Sequence, residues 1–157
     1  MIRPITEKDL HDCLNIIHKG FETAAIELGL TDENCPDRGG ASLPYEKLRD
    51  EFEALLMFAY YENDKPVGFL AMRYDGDTCV IRNIVVLPEH RHNGYGLELL
   101  QFCKQKAKEF GAHKVKLGMM DDNKRLKKWY EDNGFETVEY KNYDGAPYTV
   151  GYMQCIL

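Results

Sequence analysis

The stretch Thr78-Cys79-Val80-Ile81-Arg82-Asn83-Ile84-Val85-Val86-Leu87-Pro88-Glu89-His90-Arg91-His92-Asn93-Gly94-Tyr95-Gly96, continued to Phe110, decides the fold. Cys79 to Leu87 is an apolar run rich in β-branched residues, the composition of a buried strand. Pro88 ends it, because proline cannot donate to the ladder. Beyond Gly96, the residues Leu97, Leu100, Cys103, Ala107 and Phe110 recur at steps of three and four. They predict one apolar face of a helix that Gly111 stops.

The turn between strand and helix carries the chemistry. Main-chain N–H groups from Arg91 to Gly96 fall at a helix N-terminus, where the first donors lack intrahelical partners and the dipole is positive. Gly94 and Gly96 have no Cβ, so a phosphate can approach the main chain, while Arg91 and His92 add side-chain donors. A diphosphate is the natural guest. The Arg-x-x-Gly-x-Gly spacing taken alone describes a plain tight turn equally well. The glycine order of a dinucleotide-binding loop and the Gly-Lys-Ser/Thr of a P-loop are both missing.

Working outward, Ile2 to Ile5 alternate as a first strand. Thr6-Glu7-Lys8-Asp9 then starts a helix whose face carries Leu10, Cys13, Leu14 and Ile17, with Phe21 near its end. A second helical piece is expected from Glu22 to Leu28, stopped by Gly29, with His11 and His18 read as surface or edge residues. Thr31 to Ser42 is polar and rich in turn formers. Its length makes it a candidate binding loop or a disordered one; Asp32, Glu33, Asp37 and Arg38 read as solvated charges, and as substrate-selecting ones only through the family resemblance given below. Pro44 to Leu55 predicts a helix. Leu56 to Tyr61 and Pro66 to Arg73 predict antiparallel strands that lead into the central one through the Asp75-Gly76-Asp77 turn.

After the central helix, Lys114 to Met120 alternates as a strand, and the intervening helix makes it parallel to Cys79–Leu87. Ligands in such sheets bind beyond the carboxyl ends of the strands, where the Pro88–Gly96 loop falls. Asp121 to Asn133 predicts a short helix closed by Gly134, with Asn123 and Tyr130 seven apart and so projecting from nearly one side. Phe135 to Tyr140 and Tyr148 to Ile156 predict a closing hairpin.

Composition bounds the rest. A chain of 157 residues with 44% hydrophobic and 29% charged residues fits one soluble domain. No long apolar run predicts a membrane span, no signal-peptide core opens the sequence, and cytoplasm is the expected compartment. The five cysteines at 13, 35, 79, 103 and 155 show no metal-ligand spacing, so no metal is expected and reduced thiols are. Cys35 is the one expected near the surface, and a nucleophilic cysteine has no assignable partner. A net charge of −6 disfavours nucleic acid and suits a cationic amine.

Val86-Leu87-Pro88-Glu89-His90-Arg91-His92-Asn93-Gly94-Tyr95-Gly96 resembles the central cofactor motif of the GNAT superfamily of acyl-CoA-dependent N-acyltransferases. Asn123, Tyr130 and Gly134-Phe135 match a second motif of the same family, in the right order. The resemblance implies an α/β GNAT-like fold: antiparallel N-terminal strands, a central parallel pair splayed around the cofactor, flanking helices and a C-terminal hairpin. It implies a single N-acetyltransferase domain over residues 1–157.

It also implies roles. The amides of Arg91, His92, Asn93, Gly94, Tyr95 and Gly96 bind the coenzyme A pyrophosphate, and Ile84, Val85 and Val86 line the pantetheine arm with Asn123. The main-chain N–H of Val86, where the strand is expected to bulge, meets the oxyanion. Tyr130 contacts the cofactor and faces the departing sulfur, by hydrogen bond or as a general acid.

Residue chemistry leaves plainer readings beside these: Asn123 as a helix cap, Tyr130 as a core or rim aromatic, and Lys124, Arg125, Lys127 and Lys128 as a solvated face or, equally, as donors to the coenzyme A 3′-phosphate. The implied reaction is acetyl transfer from acetyl-CoA to a primary amine, small-molecule or peptide, in a ternary complex. Such an amine is neutral about once in 2,500 molecules at pH 7, and the central strand offers Arg82 and Asn83 but no base. The alternative is a module that holds acyl-CoA as a sensor without turning it over. Acceptor and oligomeric state stay open, a homodimer included, as does the choice of Tyr140, Tyr143 and Tyr148 as pocket wall or sheet edge.

Overall fold

The computed structural model describes residues 1–36 and 39–157, so the expected loop charges Asp37 and Arg38 lie outside the described residues. Among the described residues the strands are β1 (Ile2–Pro4), β2 (Leu56–Glu62), β3 (Lys65–Asp75), β4 (Thr78–Val86), β5 (Lys114–Met120), β6 (Glu136–Asn142) and β7 (Thr149–Ile156). They form one sheet in the order β1-β2-β3-β4-β5-β7-β6. The α-helices are α1 (Leu10–Glu27), α2 (Tyr45–Ala54), α3 (Tyr95–Glu109) and α4 (Lys124–Asp132).

The antiparallel run β2–β3–β4, the parallel β4–β5 pair and the closing β6–β7 hairpin all follow the sequence pattern. The β2–β3 turn is made by Asn63 and Asp64 at φ 51° and 63°, consecutive left-handed residues whose twist suits a tight hairpin. β3 is buried on both faces because helices cover both. Phe69 and Ala71 meet α1 and α2 through Leu10, Cys13, Ile17 and Leu48, while Leu70 and Met72 meet Leu99, Leu100 and Cys103 of α3.

Three expectations are corrected. The first helix is one piece from Leu10 to Glu27 rather than two divided near Phe21. Gly20 sits buried inside it, where a Cβ would lie 2.0 Å from Val85 Cγ1, so the missing side chain lets α1 lie against β4. On α3, Leu97 and Phe110 are 37% and 65% exposed, and Leu99 takes the buried place. Leu97 lies about a quarter turn round from the stripe through Leu99, Leu100, Cys103 and Ala107, and Phe110 is past the helix end, stacked on Tyr74 at 4.7 Å. Cys35 is 2% exposed, packed with Ala25 and Leu30, and all five cysteines are buried with no disulfide among the described residues.

Candidate active site

The site begins where two strands stop pairing. β4 and β5 are partners only from Thr78, Cys79 and Val80 to Lys114, Val115 and Lys116; from Ile81 onward they part. β4 holds its other neighbour throughout, and Leu87 N–H donates to the Val67 carbonyl at 2.9 Å. Strand alternation then turns the amides of Asn83 and Val85 towards β3 and those of Ile84 and Val86 into the gap. The β-bulge expected at Val86 is instead at Arg82, where the register with β3 shifts between Ala71 and Met72. A bulge inserts one unpaired residue and re-aims its neighbours. Here it brings Arg82 and Asn83 to the border of the same two cavities.

At the end of β4 the chain turns through Pro88–His90 into α3. His92 at φ 65° and Gly94 at φ 82° are both left-handed, one residue apart, which rolls successive N–H groups onto one concave side. Arg91 N–H is spent on Pro88 O, and Glu98 N–H on Gly94 O. Among the described residues the N–H groups from His92 to Leu97 have no main-chain partner, and no side chain caps α3. This concave run of donors, a cradle of a shape that suits an anion, lies one residue on from the expected Arg91–Gly96 span. A Cβ on Gly96 would meet only Trp129 Cζ2 and Val86 Cγ2, each at 3.8 Å, so the space above it is open for a ligand.

The side chains of this loop have other work. Arg91 donates from Nε to Val86 O at 3.3 Å and from Nη2 to Gly20 O and Thr23 Oγ1 at 3.2 and 3.0 Å. Its guanidinium braces β4 and the loop against α1 rather than standing free as the phosphate donor that the spacing suggested. Tyr95 stacks on Tyr60 at 4.1 Å and its hydroxyl donates a hydrogen bond to Glu62 Oε2 at 2.6 Å, so only its N–H faces the cradle. The Glu62 carboxylate holds the Tyr95 phenol up at about 12. Asn93 closes the turn through Nδ2 to His90 O at 3.0 Å, and the His92 side chain is exposed.

Across the gap, Asn123 accepts from Leu126 N–H at 3.2 Å and so caps α4. It still borders the small cavity of about 100 Å³ that lies between the parted strands. Ile84 and Tyr130 border that cavity as well; Val85 and Val86 do not. Tyr130 is 4% exposed, set edge-on to Trp129 and Phe135. Burial pushes its phenol well above the usual tyrosine range, so it holds its proton. Lys124 and Lys127 pair with Asp121 at 2.9 and 2.6 Å, and Lys128 pairs with Asp132 at 2.9 Å, which leaves Arg125 of that basic run without an ion pair among the described residues.

A second cavity of about 550 Å³ opens on the α1–α2 side of β4, bordered by Gly39, Gly40, Ser42, Leu43, Pro44, Lys47, Arg82 and Asn83, with Pro36. Its two β4 residues, Arg82 and Asn83, are the ones it shares with the small cavity, so the two spaces meet at the bulge. Lys47 was missed by the sequence reading, since one lysine in a helix's first turn carries no signal. Tyr140 and Tyr143 are exposed and border neither cavity, and Tyr148 packs against Ala25, Leu30 and Cys35.

Comparison with known proteins fits this geometry. The model of the "Acetyltransferase (GNAT) family" matches residues 23–135. Among solved structures, the ribosomal-protein-S18-alanine N-acetyltransferase of Escherichia coli is 17% identical over 99% of this chain and 92% of its own, with a TM-score of 0.78. PaiA N-acetyltransferase of Thermoplasma acidophilum, crystallised with coenzyme A, is 16% identical over 100% and 98%, TM-score 0.76. Ribosomal-protein-alanine N-acetyltransferase of Brucella melitensis is 21% identical over 100% and 99%, TM-score 0.74. No curated protein matches in sequence. A family match over more than half of the chain, carried on a fold shared from end to end, means that this chain belongs to the acetyltransferase (GNAT) family.

Proposed function

We propose that this chain transfers an acetyl group from acetyl-CoA to a primary amine by direct attack in a ternary complex. The observation that carries the reading is the parting of β4 from β5 after Val80, which leaves a gap between the uncapped N-terminus of α3 and Tyr130. The six N–H groups from His92 to Leu97 suit a diphosphate, and the Ile84 and Val86 amides suit the amide-bearing arm that follows it. That coenzyme A accompanies the Thermoplasma relative supports the same guest here.

The neutral amine nitrogen attacks the thioester carbon and forms the C–N bond, the C–S bond breaks as the tetrahedral intermediate collapses, and the proton that the nitrogen loses passes through water to the departing sulfur, leaving amide and free thiol. Ile84 shares a cavity with Tyr130, which supports its amide as the oxyanion donor, with Val86 N–H holding the arm two residues closer to the phosphates. Such a donor is worth about 3 kcal/mol in a dry site. A phenol pushed up by burial is a poorer acid than a thiol near 8.5, so Tyr130 serves as a hydrogen-bond donor to the sulfur rather than a full proton source. The acceptor enters from the larger cavity at Arg82 and Asn83.

The test is free-thiol release from acetyl-CoA across a broad panel of primary amines. Turnover with at least one amine is the expected result. Binding of acetyl-CoA with no thiol released would favour the non-catalytic, acyl-CoA-holding alternative, a reading supported by the lack of a carboxylate or imidazole among the described residues that border either cavity.

A further inference from the structure

The larger cavity has a charge opposite to that of the chain. Its described border carries two cations, Lys47 and Arg82, and no carboxylate, on a protein of net charge −6. Lys47 has no ion-pair partner among the described residues, and Arg82 spends one nitrogen on Glu51 Oε1 at 3.3 Å. Pro44, the N-cap of α2, provides no side-chain cap, so the positive end of that helix borders the same space, with Glu46 in its first turn outside the cavity's described border.

A second observation, independent of charge, points to a ligand. Asn83 is 8% exposed, borders both cavities, and its side-chain amide makes no hydrogen bond among the described residues. Its polar atoms stay open to the solvent of these cavities, where a polar guest can take the place of water as their partner.

We infer that the acceptor is a small amine bearing its own anionic oxygen group, a carboxylate or a phosphate, held by Arg82, Lys47 and the first turn of α2. This rests on the proposed acetyl transfer and adds the substrate class. The anion is gripped at the Lys47 side, Asn83 orients the polar body, and the amine is presented at the bulge where the two cavities meet. A volume of about 550 Å³ suits a molecule of amino-acid to drug size. A polyamine would meet the unpaired Lys47 ammonium there, beside an Arg82 already joined to Glu51. The acidic total of the chain, which by itself suggests a cationic amine, does not extend into this cavity.

The experiment compares matched acceptors in the thiol-release assay, with rates referred to the neutral-amine concentration: α-amino acids against their amides, O-phosphoethanolamine against ethanolamine, and spermidine as the cation. The acidic member of at least one pair is expected to show kcat/KM about tenfold or more above its neutral partner, and which pair does so separates carboxylate from phosphate. Lys47→Gln and Arg82→Gln are each expected to narrow that ratio severalfold. Preference for spermidine or for the neutral members, or a ratio that neither variant moves, overturns the inference while acetyl transfer stands. Failure of every amine to release thiol overturns both.

Discussion

The Arg91 guanidinium reaches across the loop to α1, where Nη2 donates to the Gly20 carbonyl oxygen at 3.2 Å. The same nitrogen meets Thr23 Oγ1, and Nε meets Val86 O, so one side chain joins a helix, the central strand and the loop that leads into α3. Lysine keeps the charge but cannot reproduce a planar fork. Arg91→Lys is therefore expected to lower stability by about 1 kcal/mol, roughly 2–4 °C in melting temperature, before any cofactor is added. Acetyl-CoA affinity falls severalfold because the loop is no longer held in shape. An unchanged melting curve of the free protein would show that the bonds to α1 contribute nothing.

Gly20 is the other half of that contact. An added methyl would overlap Val85 Cγ1, and neither α1 nor β4 can withdraw without opening the core around Ile17 and Phe69. Gly20→Ala is expected to cost about 1–3 kcal/mol despite alanine's better helix propensity. Denaturant unfolding of the free protein reads this directly, and a stabilised variant would refute the close packing.

These two residues show where sequence reading stops. Strand, loop and helix from Thr78 to Phe110 were legible because period, proline and glycine all act locally, and Asn123, Tyr130 and Gly134 because their spacing is local too. The roles of Gly20 and Arg91 depend on a contact between residues 71 apart in sequence, which no window sees. The sequence pattern divides the first helix near Phe21 because its apolar face fades there, and the packing of Gly20 against Val85 that carries the helix on is not readable locally. The bulge at Arg82 was likewise hidden, because an extra residue in a strand shows only against its neighbour's register. Lys47 belongs to the site through the placing of α2, which is a tertiary fact.

Gly94 and Gly96 are expected to separate folding from binding. Gly94 has φ 82° with nothing near a hypothetical Cβ, so Gly94→Ala costs about 1 kcal/mol through backbone strain alone. Gly96 lies in the first turn of α3 with a normal φ, and an alanine there makes only ordinary contacts at 3.8 Å with Trp129 and Val86. Gly96→Ala is expected to leave the melting temperature unchanged or slightly raised while weakening acetyl-CoA binding about tenfold, because the methyl stands over the donors. Calorimetric titration beside thermal melts decides this, and full affinity in Gly96→Ala would place the phosphates elsewhere.

The pH profile tests how the amine loses its proton. With no carboxylate or imidazole bordering either cavity among the described residues, the acceptor's own ionisation sets the rising limb. kcat/KM for the amine is expected to climb about tenfold per pH unit from pH 6 up to the amine's pKa, with no plateau from an enzyme base near 6–7. Tyr130 has its pKa raised, so its proton stays on throughout and adds no falling limb below pH 10 or so. A plateau near neutrality would reveal a base in the chain.

Tyr130→Phe isolates the hydroxyl. The ring's contacts with Trp129 and Phe135 survive the change, so the melting temperature is expected to shift little. If the hydroxyl acts only on the departing sulfur, its loss appears in kcat and not in cofactor affinity. A hundredfold fall in kcat, about 2.7 kcal/mol of barrier, is expected with the KM for acetyl-CoA within about twofold of the parent. A general acid and a hydrogen-bond donor would both give that result, and the leaving group separates them: a more acidic thiol should recover most of the lost rate, because a stable thiolate needs little help. Unchanged kcat in the phenylalanine variant would leave Tyr130 as a core aromatic that happens to border the cleft.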